Sequence, residues 1–185
     1  MKRFSMAATA LGAALLTFGA ASPAQAEITQ AGPGGFSIRV EETVSGNVDE
    51  AWAAMLHPET WWSGEHSYSG DADNFTFEPR AGGCFCESWD GGSVEHGRVL
   101  MVLHNPGGTQ MLRIAGALGP LQDMGVTAVL TLTAEPDPNG AKLSLAYRVT
   151  GEPEQRLDVI APAVDGVLME QLGRLTHYIS TGAPD

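Results

Sequence analysis

Hydrophobic and polar residues alternate along several short segments between residues 36 and 150, and this period of two is typical of β-strands. The first such segment, FSIRVEETV, covers residues 36–44 and is rich in β-branched residues. Short turn sequences (AGG, WDGGS, NPGG and DPNG) separate most of the later ones, which favours an antiparallel meander. Six further strands are predicted at FTFEPR, GCFCESW, EHGRVLMVLH, TQMLRIAG, VTAVLTLTAEP and AKLSLAYRVT.

Helical periodicity is found in two places. After Asn47, a residue type that caps helices, the segment VDEAWAAML has apolar residues near helical spacing, and PETWW adds a short turn of helix. Near the C-terminus one apolar stripe recurs every three or four residues: Ile160, Val164, Leu168, Leu172, Leu175 and Ile179. The pattern predicts an α+β fold: a strand, two short helices, about six antiparallel strands and one long helix. A curved sheet wrapped on one helix leaves a gap between the layers, which is a natural ligand cavity.

The N-terminus has the features of a secretory signal peptide. Lys2 and Arg3 precede an apolar stretch, and the segment ends at Ala24-Gln25-Ala26. We therefore expect a signal peptide over 1–26, a flexible leader over 27–35 and one domain over 36–182. The mature protein is expected to be periplasmic or secreted, with no stable membrane anchor, because no later apolar run is long enough to span a bilayer.

Net charge argues against one class of partner. The chain has a formal charge of −12, and loss of Lys2 and Arg3 on cleavage changes it to −14. Without a basic cluster, so acidic a protein is a poor candidate for nucleic acid or anionic membranes.

Several longer motifs resemble those of a known superfamily. VSGNVDEAWAAMLHPETWW, VEHGRVLMVLHNP, GVTAVLTLTAEPDPNGAKLSLAYRV and LMEQLGRLTHYI are similar to segments of the START-related, polyketide-cyclase-like (SRPBCC) superfamily. The branch most similar is that of the activator of heat-shock ATPase. The resemblance covers about residues 36–180 and implies the helix-grip fold. It implies no single function, because the superfamily includes carriers, cyclases, hydrolases, co-chaperones and receptors. An exported protein would meet neither the cytosolic chaperone nor ATP.

Cys84 and Cys86 are the two cysteines, and they are two residues apart in a predicted strand. Such residues point to the same face with Cα atoms about 6.6 Å apart, too parallel for a disulfide unless a bulge intervenes. We expect buried, unbridged thiols that line the cavity. The alternatives are a bridge at a bulge, or metal ligands together with His96.

The identity of the residue opposite Cys86 depends on the hairpin register. A turn on Asp90-Gly91-Gly92 places His96 opposite Cys86, and a loop changed by one residue places Glu95 there instead. Neighbours on a strand point to opposite faces, so Glu95 and His96 enter one cavity together only if a bulge is present.

The resemblance implies that two loops border the cavity entrance. The first, WWSGEHSY (61–68), is unusually aromatic, and at least one of its tryptophans is expected to pack in the core. The second, GALGPLQDM (116–124), is interpreted either as a lid for an apolar ligand or as a packed connector.

The sequence contains no nucleophile elbow, P-loop, dinucleotide fingerprint or helical zinc motif. We therefore expect binding of a small apolar or amphipathic molecule, without cofactor or metal, and the sequence leaves the oligomeric state open. A cyclase- or hydrolase-type enzyme using His96 or Glu95 with His66, and a thiol-based metal protein, are the alternatives. The predicted ligand-binding residues are Trp62, His66, Tyr68, Cys84, Cys86, His96, Leu118 and Met169.

Overall fold

A computed structural model describes residues 25–184 as an α+β fold. The strands are β1 (Gln25–Gly32), β2 (Gly35–Val44), β3 (Phe75–Phe77), β4 (Cys84–Trp89), β5 (Gly92–Leu103), β6 (Gln110–Ala115), β7 (Thr127–Asp137) and β8 (Gly140–Thr150). The helices are α1 (Val48–Met55) and α2 (Leu157–Thr181), with short 3-10 turns between elements. Within residues 25–184, no helix combines the length and apolar character needed to cross a bilayer.

All eight strands form one curved antiparallel sheet in the order β1-β2-β8-β7-β6-β5-β4-β3. The long helix α2 packs across β1, β2 and β8, and this arrangement of sheet and helix is the predicted helix-grip fold. The side chains of α2 that are buried against the sheet include Leu168, Leu172 and Leu175. Burying each leucine is worth about 1.5–3 kcal/mol, so the apolar stripe holds the helix to the sheet.

The expected flexible leader over residues 27–35 is wrong. Most of this segment belongs to β1, whose Ala26, Ile28 and Ala31 pair with residues of β2. The turn residues Pro33 and Gly34 join the two strands into a hairpin, so the PGG sequence is a hairpin turn rather than the end of a linker. The predicted signal peptide lies outside the described residues, except for Gln25 and Ala26 at the start of β1.

Helix α1 begins at the predicted cap. The Asn47 side chain accepts hydrogen bonds from the backbone N–H groups of Asp49 (3.0 Å) and Glu50 (2.9 Å). The Glu50 carboxylate in turn accepts from the Asn47 N–H, which completes a capping box. Asp49 also accepts from Gln110 Nε2 at 2.7 Å, which ties the helix start to β6.

Candidate functional site

A cavity of about 530 Å³ lies between the sheet and α2. This volume is within the range of small-molecule sites. Aliphatic and aromatic side chains form most of its wall. The ionisable side chains that line it are Glu65, His66, Tyr68, His96, Asp123 and Tyr147. The apolar part of the wall includes Trp62, Leu118, Leu121, Met124, Ile160, Val164, Val167 and Leu168.

The structure brings five of the eight predicted residues to this cavity: Trp62, His66, Tyr68, His96 and Leu118. Three do not reach it. Cys84 and Cys86 lie on the outer face of β4, whose buried face carries Phe85 and Glu87. Met169 is 37% exposed and lies on α2 next to Leu168, which points to the cavity in its place. One step along a helix rotates a side chain by about 100°, which accounts for the difference.

The His96 side chain is aimed inward by a β-bulge in the hairpin β4–β5. A two-residue turn at Asp90 and Gly91 sets Cys86 opposite Glu95, whereas Phe85 lies opposite Gly97. His96 is therefore the extra residue, so both His96 and Gly97 are buried while Glu95 stays exposed. Neither simple register expected from the sequence holds along the whole hairpin.

Two glycines permit this bulge. A Cβ atom at Gly97 would come within 2.6 Å of the Ala115 carbonyl oxygen, and one at Gly116 would collide with the carbonyl oxygen of His96. The backbones of the two segments can approach so closely only because neither residue has a side chain.

Glu87, the buried partner of His96, was not among the predicted site residues. Its carboxylate is fully buried and accepts hydrogen bonds from the N–H groups of Tyr68 (3.0 Å) and Ser69 (2.5 Å). It also lies 3.0 Å from His96 Nε2. A glutamate that alternates with phenylalanine on one strand face was the available signal, because Phe85 and Glu87 must share that face.

Hydrogen bonding and burial set the charges of this pair. Burial alone would raise the pKa of Glu87, but hydrogen bonds from Ser69, from the Tyr68 backbone and from His96 outweigh it and lower the pKa below 4.5. Burial lowers the pKa of His96 below 6.5, against the opposing effect of Glu87. At neutral pH the pair is therefore a carboxylate and a neutral imidazole. Since a carboxylate only accepts, His96 Nε2 carries the proton and donates it to Glu87.

The expectation of unbridged, inward-facing thiols is wrong. Cys84 and Cys86 are joined in a disulfide with a Cα–Cα distance of 5.4 Å, and no free cysteine remains in the described chain. Strand β4 is contracted here relative to the 6.6 Å of a regular strand, directly beside the bulge at His96. A disulfide between these two cysteines was expected only if a bulge was present, and sequence periodicity does not reveal a bulge.

Residues 25–184 contain no cluster of three or more His, Cys, Asp or Glu side chains arranged to hold a metal ion.

The two predicted entrance loops are tied to each other and to the sheet. Tyr68 Oη donates to the Gly119 carbonyl at 3.0 Å and so links loop 61–68 to loop 116–124. Tyr147 Oη donates to Gly116 O (3.1 Å) and accepts from Leu118 N (2.9 Å). Burial raises the pKa of Tyr147 to about 12, so this hydroxyl stays protonated. Beside the first loop, His66 Nε2 lies 3.0 Å from the Glu170 carboxylate on α2.

Loop 116–124 is therefore a packed connector in this structure. Leu121 is buried in the core, and the Gln122 side chain donates to the Glu95 carbonyl at 2.8 Å.

Both tryptophans of the first loop are also buried, Trp61 at 2% exposure and Trp62 at 6%. Trp62 packs on Phe75 and Phe85 with ring centroids 5.9 and 5.7 Å away, so it serves the core and the cavity wall together.

Comparison with known proteins shows a likeness in fold. No protein-family model and no curated sequence matches the chain. A Rhodobacter sphaeroides protein of known structure is 20% identical, with a TM-score of 0.53, over 84% of this chain and 98% of its own. A Staphylococcus aureus protein of unknown function is 11% identical, with a TM-score of 0.57, over 80% of this chain and 95% of its own.

A third similar structure is the di-domain ARO/CYC protein StfQ from the steffimycin biosynthetic pathway. It is 14% identical, with a TM-score of 0.52, over 81% of this chain and 52% of its own. At these identities the likeness shows the fold alone, which is the helix-grip architecture.

Proposed function

We propose that this chain is an exported protein that binds a small, largely apolar molecule in the cavity between the sheet and α2, and that it belongs to the START-related superfamily that its motifs resemble. The observation that supports binding most directly is the cavity of about 530 Å³ with its mainly aliphatic and aromatic wall. Export rests on the signal-like N-terminus. The likeness to an ARO/CYC protein is compatible with a small-molecule role.

The charge of the cavity rim favours a neutral ligand. Glu65 and Asp123 are exposed carboxylates at the cavity, and Glu170 stands beside His66. Among the described residues, neither a lysine nor an arginine lines this cavity. A carboxylate or phosphate head group would meet like charge without a compensating cation, so fatty-acid anions are disfavoured.

Filling the cavity tests this proposal. Val164 on α2 lines it, whereas Val159 on the same helix is 66% exposed and lies outside it. We expect Val164→Phe to weaken binding of a neutral environment-sensitive dye at least tenfold, because the larger ring occupies the ligand's space. The matched variant Val159→Phe should bind the dye as wild type does. Thermal melts of both variants establish that they are folded.

Trp62 provides an independent readout of the same site. Dye binding should quench tryptophan emission, and Trp62→Phe should reduce that quenching while it keeps the aromatic packing against Phe75 and Phe85. Replacing Trp89, at the hairpin turn, should leave the quenching intact. Absence of saturable dye binding, or equal loss in Val164→Phe and Val159→Phe, would contradict the proposal.

An enzyme is the second candidate, and the Glu87–His96 pair is the observation that favours it. A carboxylate that orients a neutral imidazole is a common arrangement for a general base. The other residues predicted for this hypothesis are placed differently: Glu95, the alternative to His96, is exposed, and His66, the predicted second proton-transfer group, contacts Glu170.

The retained ligand distinguishes the two candidates. Native mass spectrometry of protein from its own compartment would identify that molecule, which is then incubated with wild type and with His96→Gln in D₂O. Turnover, or deuterium uptake that depends on His96, supports the enzyme. Recovery of the unchanged, undeuterated molecule supports the binding protein.

A further inference from the structure

The imidazole of His96 presents one nitrogen without a partner. Nε2 donates to Glu87, and none of the hydrogen bonds among the described residues ends on Nδ1. Among the residues of 25–184 that are not exposed, two side-chain atoms are both fully buried and without a hydrogen-bond partner: Asp165 Oδ1 and Gln171 Nε2. His96 Nδ1 also lacks a partner but is not one of these buried atoms, so it retains some accessible surface. His96 lines the cavity, so the cavity is where that surface opens.

Glu87 fixes which nitrogen is free. The Tyr68 and Ser69 N–H groups both point at its carboxylate, so it acts as an acceptor and requires a proton on Nε2. Nδ1 of the neutral ring then has a lone pair and no hydrogen. Three aromatic rings pack around the imidazole, with centroids at 5.0 Å (Phe75), 5.1 Å (Phe85) and 5.9 Å (Tyr68). The acceptor is therefore fixed in place before any ligand arrives.

Other polar groups along the wall already have partners. The Tyr147 hydroxyl bonds to Gly116 and Leu118, and the Tyr68 hydroxyl donates to Gly119. His66 Nε2 is occupied by Glu170. His66 Nδ1 has no partner among the described residues either, but the His66 side chain is 31% exposed and belongs to the rim with the carboxylates. His96 Nδ1 is thus the acceptor left open among the buried side chains of the described cavity wall.

We propose that His96 Nδ1 is the polar anchor of the cavity and accepts a hydrogen bond from the hydroxyl group of a neutral, otherwise apolar ligand. The inference rests on the proposed binding function and specifies the ligand class as alcohols or phenols. A ligand without a donor would cover Nδ1 and leave it unsatisfied, which costs binding affinity. A carboxylate ligand offers only acceptors and also meets the acidic rim.

The test compares two probes of nearly equal size, 2-naphthol and 2-methylnaphthalene, by equilibrium binding to wild type and His96→Gln. Glutamine keeps a donor for Glu87 and removes the acceptor at the Nδ1 position. We expect the preference for naphthol over methylnaphthalene to fall at least tenfold in His96→Gln, which corresponds to about 1.4 kcal/mol. The control His57→Gln alters an exposed histidine paired with Glu59 and should retain the wild-type preference.

A spectroscopic readout separates hydrogen bonding from a merely structural effect. Long-range ¹H–¹⁵N spectra of histidine-labelled protein should show an unprotonated Nδ1 on His96 that shifts when naphthol binds and not when methylnaphthalene binds. If both probes bind but their ratio is the same in wild type and His96→Gln, the anchor is refuted and the cavity stands. If neither probe binds saturably, the binding function itself is refuted.

Discussion

Replacing Glu87 by glutamine tests the buried hydrogen-bond network of the site. The carboxylate is fully buried and accepts from three donors, two on Tyr68 and Ser69 and one on His96. An amide has one oxygen. If its NH₂ group replaces Oε1 it faces the Ser69 N–H, and if it replaces Oε2 it faces the Tyr68 N–H. Either orientation leaves a buried donor unpaired and removes the charge that strengthens the other bonds.

The expected cost follows from these contacts. An unsatisfied buried donor costs about 1–3 kcal/mol, and hydrogen bonds to a charged acceptor exceed neutral ones by about 1 kcal/mol. We therefore expect Glu87→Gln to lower the free energy of unfolding by about 2–4 kcal/mol. For a domain of this size the melting temperature should fall on the order of 10 °C.

Urea unfolding followed by tryptophan fluorescence and circular dichroism measures this difference. The matched control is Glu135→Gln, which breaks the half-exposed ion pair with Lys142 and should cost less than about 1 kcal/mol. Equal, small losses in the two variants would refute the buried hydrogen-bond network. A large loss in Glu87→Gln with an unchanged m-value would support it, since the native and unfolded states then keep their compactness.

Three further predictions concern the thiols, the acid response and the N-terminus. Unfolded, unreduced protein should show no free thiol and reduced protein two, since Cys84 and Cys86 are bridged; two thiols before reduction would contradict the bridge. Burial lowers the folded-state pKa of His96 below 6.5, so the folded chain binds fewer protons than the unfolded one, and stability that is complete above pH 6.5 should decline as pH falls toward that lower pKa. Between pH 6.5 and 4.5, which lies above the range where Glu87 titrates, the stability of His96→Gln should decline less than that of the wild type. An identical pH profile for the two proteins would argue against a buried neutral imidazole. Exported protein should begin at Glu27 by intact mass, and retention of Met1 on the exported form would refute cleavage after Ala26.

The sequence by itself determined the order of the elements from β2 onward. Alternation with a period of two located β2 and all of the later strands, and the apolar stripe of the last segment located α2, because these patterns depend only on which residues can share a face. The Asn47 cap was also local, since a capping box needs only residues three apart. The pattern failed at 27–35, because the composition of this segment is also typical of a flexible leader and does not reveal the hairpin turn at Pro33 and Gly34.

Tertiary structure decided which face of β4 is buried. Alternation shows that Phe85 and Glu87 share one face and the two cysteines the other, but it does not say which face meets the core. A charged residue is costly to bury unless partners satisfy it. Those partners come from a distant loop and from a bulge on β5. The bulge depends in turn on the close approach of Gly97 and Gly116, a contact between segments about twenty residues apart, and no local pattern contains it.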